Sequence, residues 1–315
     1  MELIRKIWIN NKNNKLFLLL FSPFKSLFDF YRFRFVDEKK FIENNFYINH
    51  GYKLNLKDPK TLNEKIQWLK LYDRTPLHTQ CADKIEVRDV IKEKLGEEYL
   101  IPMIYQTDDI NKLKESDLPN YPVIVKTNHD SGNYVIVKDK SKLDFIALKK
   151  KFKKALKNNY YYSTKEWQYK NIKPKVIIEK LLMDKDGNIP LDYKIHCIHG
   201  KVEMISVDLD RGTSFHKRNW YDKNWKKLPL NWSSIINGHK TIQSEKEIPE
   251  PILLKEMIAN SEKISSLFKY VRVDWYQLGS KLYFGELTFH HDSGMKPIEP
   301  REYDLKYGAK LNLTN

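Results

Sequence analysis

Two runs of alternating apolar residues, 271–276 and 281–289, each carry one acidic residue, Asp274 and Glu286. A carboxylate inside such a run is expensive to bury unless something positive faces it. The runs flank Leu278-Gly279-Ser280, a turn signal, and the pattern predicts a β-hairpin. Side chains alternate between faces along a strand, so Arg272 and Asp274 share one face of the first run. Two carboxylates and an arginine on one face suit a divalent cation and a phosphate, since Mg²⁺ takes one or two carboxylates together with phosphate oxygens. The plainer alternative is an amphipathic hairpin whose Asp274 and Glu286 are solvated charges.

The 315 residues suffice for two domains or one large α/β unit. Eleven Gly, thirteen Pro and 41% hydrophobic residues describe a globular chain, not a low-complexity one. Cys81 and Cys197 lie far apart in unlike contexts, which argues against a disulfide framework and for a reducing, cytoplasmic compartment. The net charge of +15 points to an anionic partner. Zinc-finger spacing, a basic zipper and an RNP-type motif are missing, so nucleic acid is not the expected partner. Anionic glycans, lipid-linked sugar phosphates and a membrane surface fit the charge equally well.

The first 50 residues mix bulky apolar side chains with Lys and Arg. Their longest apolar run, 16–21, is too short to span a bilayer, and no small-residue cleavage site follows it. The segment fits either a membrane interface, with its basic residues on anionic headgroups, or a helical pair packed on the main domain.

From Asn55 the pattern becomes regular. A helix opens at Leu62-Asn63-Glu64-Lys65 and ends near Thr75-Pro76. Another carries Val87, Val90, Ile91 and Leu95, with Asp83 as its cap and Lys84 solvated on the plain reading. Residues 121–127 form a strand with Lys126 near its end, followed by the polar loop Asn128-His129-Asp130-Ser131-Gly132-Asn133 and a returning strand. Such a loop can fold over phosphates through its N–H groups, with the lysine as a point charge; an ordinary hairpin is the alternative. A basic helix over 142–158, a buried strand over 175–182 and a hairpin turning at Gly200 come next. His196, Cys197 and His199 fall short of the four ligands of a structural zinc site. Residues 208–225 interleave Arg211, His216, Lys217 and Arg218 with Trp220, Tyr221 and Trp225, which suits a charged sugar or a surface hairpin over an aromatic cluster. Residues 228–250 read as a polar loop and 252–267 as a helix.

The phrases LNEKIQWLKLYDRTPL, ADKIEVRDVI, VIVKTNHDSGN, EWQYKNIKPKVIIEKLL, DYKIHCIHGK and VRVDWY…YFGELTFHHDSG stand in this order. Together they resemble the ATP-grasp superfamily, and more closely its TupA-like members, named for teichuronopeptide synthesis and found among capsule and cell-surface polysaccharide genes. The resemblance runs from near Tyr52 to Gly308. It implies an α/β ATP-grasp fold holding a nucleotide between two α+β lobes. Residues 1–50 would be a basic helical segment, 51–110 the N-terminal part of the ligase, 111–180 the first lobe and 181–315 the second, with the hairpin.

The resemblance also implies ATP and Mg²⁺ as cofactors. Lys84 and Lys126 would hold the α- and β-phosphates, and the loop with Asn128, Ser131 and Gly132 would close over the nucleotide. Glu179 would bind the ribose or adenine side, and the backbone of Lys180 to Leu182 the adenine edge. Lys194 and Arg211 match cationic positions near the γ-phosphate. Arg272 would stabilise the transferring phosphoryl group, and Asp274 and Glu286 would carry Mg²⁺. Thr288 stands where many ATP-grasp ligases have Asn, so Thr288, His290 or water would complete any second metal shell. The implied reaction joins a carboxylate to an amine or amino acid through an acyl phosphate, with a uronic acid or lipid-linked glycan as the anionic partner. A glycosyltransferase or sugar kinase of polysaccharide synthesis is one alternative; a non-catalytic assembly protein binding anionic polymer or membrane is another.

Overall fold

The computed structural model describes residues 24, 27–210, 213, 215–233, 235–236 and 239–314. Arg211, expected near the γ-phosphate, lies outside the described residues, as does most of the segment 1–26. A helical run at 27–34 leads to α1 (Glu38–His50), α2 (Leu62–Tyr72), α3 (Pro76–Ala82) and α4 (Val87–Lys94). A capping box starts α2: the Thr61 hydroxyl accepts from Glu64 N–H at 3.1 Å, and the Glu64 carboxylate accepts from Thr61 N–H at 2.9 Å. The helix stops at Tyr72, short of the Thr75-Pro76 end expected from periodicity. Asp83 does not cap α4, whose N-cap is Glu86; it ends α3 and accepts from Ile85 N–H at 2.8 Å.

The first sheet is antiparallel in the order β1 (Met103–Thr107), β4 (Val176–Lys180), β2 (Val123–Thr127), β3 (Tyr134–Val137). Its apolar face, with Val123, Val125, Val176 and Ile178, packs on α5 (Phe145–Ala155) through Leu148, Phe152 and Ala155. Those three share one helical stripe, which leaves the lysines of α5 to solvent. The short helix α6 (Tyr160–Thr164) follows and precedes β4.

The second sheet has the order β12 (Lys281–Thr288), β11 (Tyr270–Leu278), β5 (Asp192–Ile198), β6 (Lys201–Leu209), β7 (Lys217–Tyr221), again antiparallel. One face sends Tyr193, Ile195, Val207, Val271, Val273 and Trp275 into the main core with Met257 and Ile264 of α7 (Leu254–Ser265). By alternation the other face carries Asp192, Lys194, His196, Ser206, Asp208, Arg218, Arg272 and Asp274, all buried. Asp274 is 2% exposed, so the solvated-charge alternative for this residue is excluded. Part of that face is roofed by α2 and α8 (Arg301–Lys310) through Leu62, Ile66 and Tyr307, with Trp232 from the segment before α7 in the same cluster.

The β11–β12 hairpin is bulged. Val273 faces Leu287 whereas Trp275 faces Phe284, so β12 holds one residue more than β11 over this interval. The core positions accordingly switch parity, from Leu282 and Phe284 to Leu287 and Phe289. This switch brings Glu286 and Thr288 to the face of Arg272 and Asp274. Residues 228–250 are more ordered than a polar loop: β8 (Asn231–Trp232), β9 (Ile235–Ile236) and β10 (His239–Lys240) lie there, and β8 pairs with β13 (Ile298–Glu299). Leu230 and Trp232 are fully buried because they fill the second core. Cys81 and Cys197 are free and buried, and desolvation pushes both thiols up to about 12.

Candidate active site

On the first sheet, Lys126 and Glu179 project from neighbouring strands and pair at 2.7 Å, Nζ to Oε2. Arg88 of α4 reaches the other carboxylate oxygen at 3.5 Å. Lys84, in the turn between α3 and α4, donates its ammonium to the main-chain oxygen of Asp130 at 2.6 Å. Burial lowers the Lys84 pKa. Glu286 of the second sheet opposes that shift, Lys126 adds to it, and Asp130 and Glu179 oppose it. Lys84 therefore sits in the fields of both sheets at once.

The loop after Lys126 is tied from below. Asn128 donates through its amide to both oxygens of Asp83, at 3.0 Å each, and to Lys173 O at 3.1 Å. Its Oδ1 accepts from Lys175 N–H at 2.7 Å. The Asp130 carboxylate receives the Thr127 hydroxyl and the Asn133 amide. Ser131 and Gly132, at the tip, are exposed, and Gly132 has φ +86 with open space where a Cβ would stand. At the end of β4, Lys180 N–H goes to Pro102 O and Leu181 N–H to Pro122 O, both at 3.0 Å, while Leu182 is buried.

On the second sheet, Arg272 grips Asp274 with two parallel bonds, Nε to Oδ1 and Nη2 to Oδ2, each 2.6 Å. Its Nη2 also reaches Glu286 at 3.2 Å, and Nη1 donates to His291 Nδ1 at 2.8 Å. Burial opposes the Arg272 charge; Asp274, then Glu286 and Asp192, outweigh it and raise the pKa. Burial followed by the fields of Arg272, Arg218 and Lys194 holds His291 neutral, well below the usual imidazole range. An arginine cannot accept, so the bond to Nδ1 leaves the His291 proton on Nε2.

Lys194 is directly opposite Asp274 in the β5–β11 ladder and lies 3.2 Å from it. It also pairs with Asp192, and with Asp208 at 3.7 Å. Asp208 takes Arg218 Nε at 2.6 Å and lies 3.2 Å from His216 Nε2. Burial disfavours its charge, but Arg218, Lys194 and His216 hold the carboxyl well below the usual range.

Lys126 and Glu179 thus form one charge network with Arg88, and Lys194, Arg272, Asp274 and Glu286 form another, while Lys84 bonds to Asp130 O beside the first. Asn128 lies beneath the loop as a structural link, with its amide fully engaged. Thr288 pairs with Arg272 across the hairpin. Arg88, Asp130, Asp208 and His291 were not given roles from the sequence, whereas Asp192 stood in the Asp-x-Lys pattern with Lys194. Arg88, inside ADKIEVRDVI, had a local signal as a cation one turn after Lys84, and Asp192 had one as the acid two residues before Lys194 on the same strand face.

A family model described as TupA-like ATPgrasp matches residues 64–312. That interval takes in both sheets and the charged residues between them, and it makes this an α/β protein of the ATP-grasp class. More narrowly, the chain belongs to the TupA-like ATP-grasp family. Among solved structures it is similar to D-alanine–D-alanine ligase from Helicobacter pylori, with 13% identity over 81% of this chain and 68% of that one and a TM-score of 0.42. It is also similar to D-alanine–D-alanine ligase from Bacillus anthracis complexed with ATP, with 18% identity, coverage of 67% and 55% and a TM-score of 0.39. For the ATP-grasp ligase PsnB complexed with minimal precursor, Mg and ADP, the values are 9%, 72% and 58%, and 0.36. The chain spans 57%, 55% and 53% of the first three solved chains it matches. No curated protein matches the sequence.

Proposed function

We propose that this protein is an ATP-dependent carboxylate–amine ligase of cell-surface polysaccharide synthesis, with a uronic acid as the carboxylate substrate. The observation that carries the reading is the buried charge on both sheets: the Lys126–Glu179 pair at 2.7 Å beside the loop that Lys84 grips at Asp130 O, and the Arg272–Asp274–Glu286 cluster. Cations from one lobe facing carboxylates from the other suit a polyphosphate with its metal better than they suit a purely apolar ligand.

Of the two expected metal carboxylates, Glu286 fits the role by its exposure: its side chain is 37% exposed, against 4% for Asp274, and its Oε1 meets Arg272 Nη2 at 3.2 Å. Asp274 has both oxygens held by Arg272 and one of them also near Lys194, so in this arrangement it serves as the anchor of the cations. Magnesium, when bound, would neutralise phosphate charge alongside Glu286. Lys84 and Lys126 would neutralise phosphate oxygens, and Arg272 and Lys194, fixed by their buried carboxylates, would face charge developing on the transferred phosphoryl group. A substrate carboxylate oxygen attacks the terminal phosphorus and ADP leaves. The amine then attacks the acyl carbon, phosphate leaves, and the amine gives up a proton. Positioning and charge supply the catalysis, with no covalent protein nucleophile.

An ADP-release assay with uronic acids or lipid-linked glycans, paired with amino acids or small amines, tests this. ADP and phosphate in equal amounts, with a new amide, support a ligase. Phosphate retained on the sugar would make it a kinase, and consumption of a nucleotide sugar a glycosyltransferase; either result overturns the proposal.

A further inference from the structure

Amphipathic helices of soluble proteins turn their apolar stripe to the core. The helical run 27–34 does the reverse. Leu27, Phe30, Tyr31, Arg34 and Phe35 follow i, i+3, i+4, i+7, i+8 spacing and so lie on one face. The i to i+4 backbone bond from Phe35 N–H to Tyr31 O, at 2.9 Å, keeps Phe35 in register with that face. All five are exposed, with Leu27 at 67%, Phe30 at 55%, Tyr31 at 58% and Phe35 at 66%. The rings touch: Tyr31 stacks on Phe35 at 5.8 Å, and Phe30 meets Phe35 edge-on at 6.0 Å. Phe24, a turn earlier, is 71% exposed. This is a continuous apolar patch of the kind that marks an interaction surface.

The orientation of the patch is set by contacts to the body of the protein. Lys165 Nζ donates to Phe33 O at 2.6 Å, the Phe33 ring meets Phe41 of α1 at 6.0 Å, and the Arg34 guanidinium lies 3.7 Å over the Tyr162 ring of α6. The Phe33 contacts hold the opposite side of the helix inward, and Arg34, on the patch face, reaches back to the body through Tyr162.

Charge selects the partner. Arg34 stands on the patch face with its guanidinium over the Tyr162 ring, Arg32 is turned to Phe33 and Phe41 on the other side, and Lys39 and Lys40 follow Asp37 and Glu38 in the sequence. In the sequence, residues 1–26 add Arg5, Lys6, Lys12, Lys15 and Lys25 against Glu2 alone. An apolar protein groove has no use for this density of cations. A bilayer surface with anionic headgroups takes both components, rings at headgroup depth and cations on phosphates. Among the described residues no helix is long and apolar enough to cross a membrane. We propose that this helix face docks the protein on an anionic membrane surface, with Leu27, Phe30, Tyr31 and Phe35 inserted at the interface. The proposal is independent of the ligase reading.

The test is cosedimentation of the full-length protein with vesicles of pure phosphatidylglycerol and of pure phosphatidylcholine. Binding to the first and not the second is expected. Phe30→Ser and Phe35→Ser should each weaken it about tenfold, the share of a partly inserted ring. Circular dichroism should be unchanged in both. A second variant, Phe30→Trp, reads insertion directly: acyl-brominated phosphatidylglycerol should quench it more than the wild type. Failure to bind either vesicle, equal binding to both, or undiminished binding by the two serine variants would overturn the proposal. So would a wild-type dimer that the serine variants convert to monomer without loss of vesicle binding, since a second copy would then cover the face.

Discussion

Lys126 and Glu179 meet diagonally across the β2–β4 ladder at 2.7 Å, and Arg88 shares the same carboxylate. The pair bridges the two inner strands of the first sheet, and its charges, with that of Glu286 on the second, act on Lys84. An ion pair so placed keeps a lysine oriented without committing it to the core.

Removing Lys126 should therefore stop turnover without unfolding the chain. Lys126→Met and Glu286→Gln are each expected to lower ATP hydrolysis or ligation at least about 100-fold, the scale of a lost transition-state contact. Circular dichroism and the urea midpoint should stay near wild type. Near-normal turnover in both variants would remove these residues from the site.

Arg272 behaves differently, because it is buried and bonded at Nε, Nη1 and Nη2. Arg272→Met leaves Asp274 buried with only Lys194 beside it, a loss of about 3–5 kcal/mol in unfolding free energy. Arg272→Lys should lose less but not recover the wild-type midpoint, since an ammonium cannot reproduce the two-pronged grip. Urea denaturation of the three proteins should rank them wild type, Lys, Met.

Gly285 sits in the hairpin bulge. A Cβ there would stand 3.1 Å from the Tyr276 ring, 3.2 Å from Asp274 O and 3.3 Å from Asp274 Cβ. Gly285→Ala should push β12 away from Asp274, cost about 1–2 kcal/mol and shift Glu286. The check is a raised Mg²⁺ requirement for turnover, accompanied by a modest fall in the urea midpoint.

Asp304 of α8 holds α2 by accepting from Asn63 N–H at 3.0 Å and its side-chain amide at 3.1 Å. Burial raises its carboxyl to about 6 from an ordinary 3.8. Between these values the folded state keeps a proton that the unfolded chain releases. The contribution to stability is complete below the lower value and is lost as pH rises through the upper one. Stability measured from pH 4 to 6 should carry that downward component, and Asp304→Asn should flatten it.

The sequence pattern announced what depends on near neighbours. The Gly279-Ser280 turn, the Gly200 turn and the strands on either side follow from alternation and turn residues, and both hairpins are present. The bulge was also visible, in the parity change from Leu282 and Phe284 to Leu287 and Phe289, although plain alternation passes over it. Long-range pairing was not visible. Nothing local to Asn128 says that its amide belongs to Asp83, and nothing local to Asp208 says that it approaches Lys194, whereas alternation alone puts Asp192 beside that lysine. The order of charged motifs led to the family; the division of labour among those charges required the fold.

The most direct measurement is calorimetric titration of the wild type and of Lys84→Met, Lys126→Met and Glu286→Gln with ATP, in the presence and absence of Mg²⁺. One nucleotide per chain should bind the wild type, more tightly with Mg²⁺. The lysine variants should bind more weakly in both conditions, and Glu286→Gln should lose mainly the Mg²⁺-dependent part. Unchanged ATP affinity in all three variants would contradict a shared cleft between the two sheets.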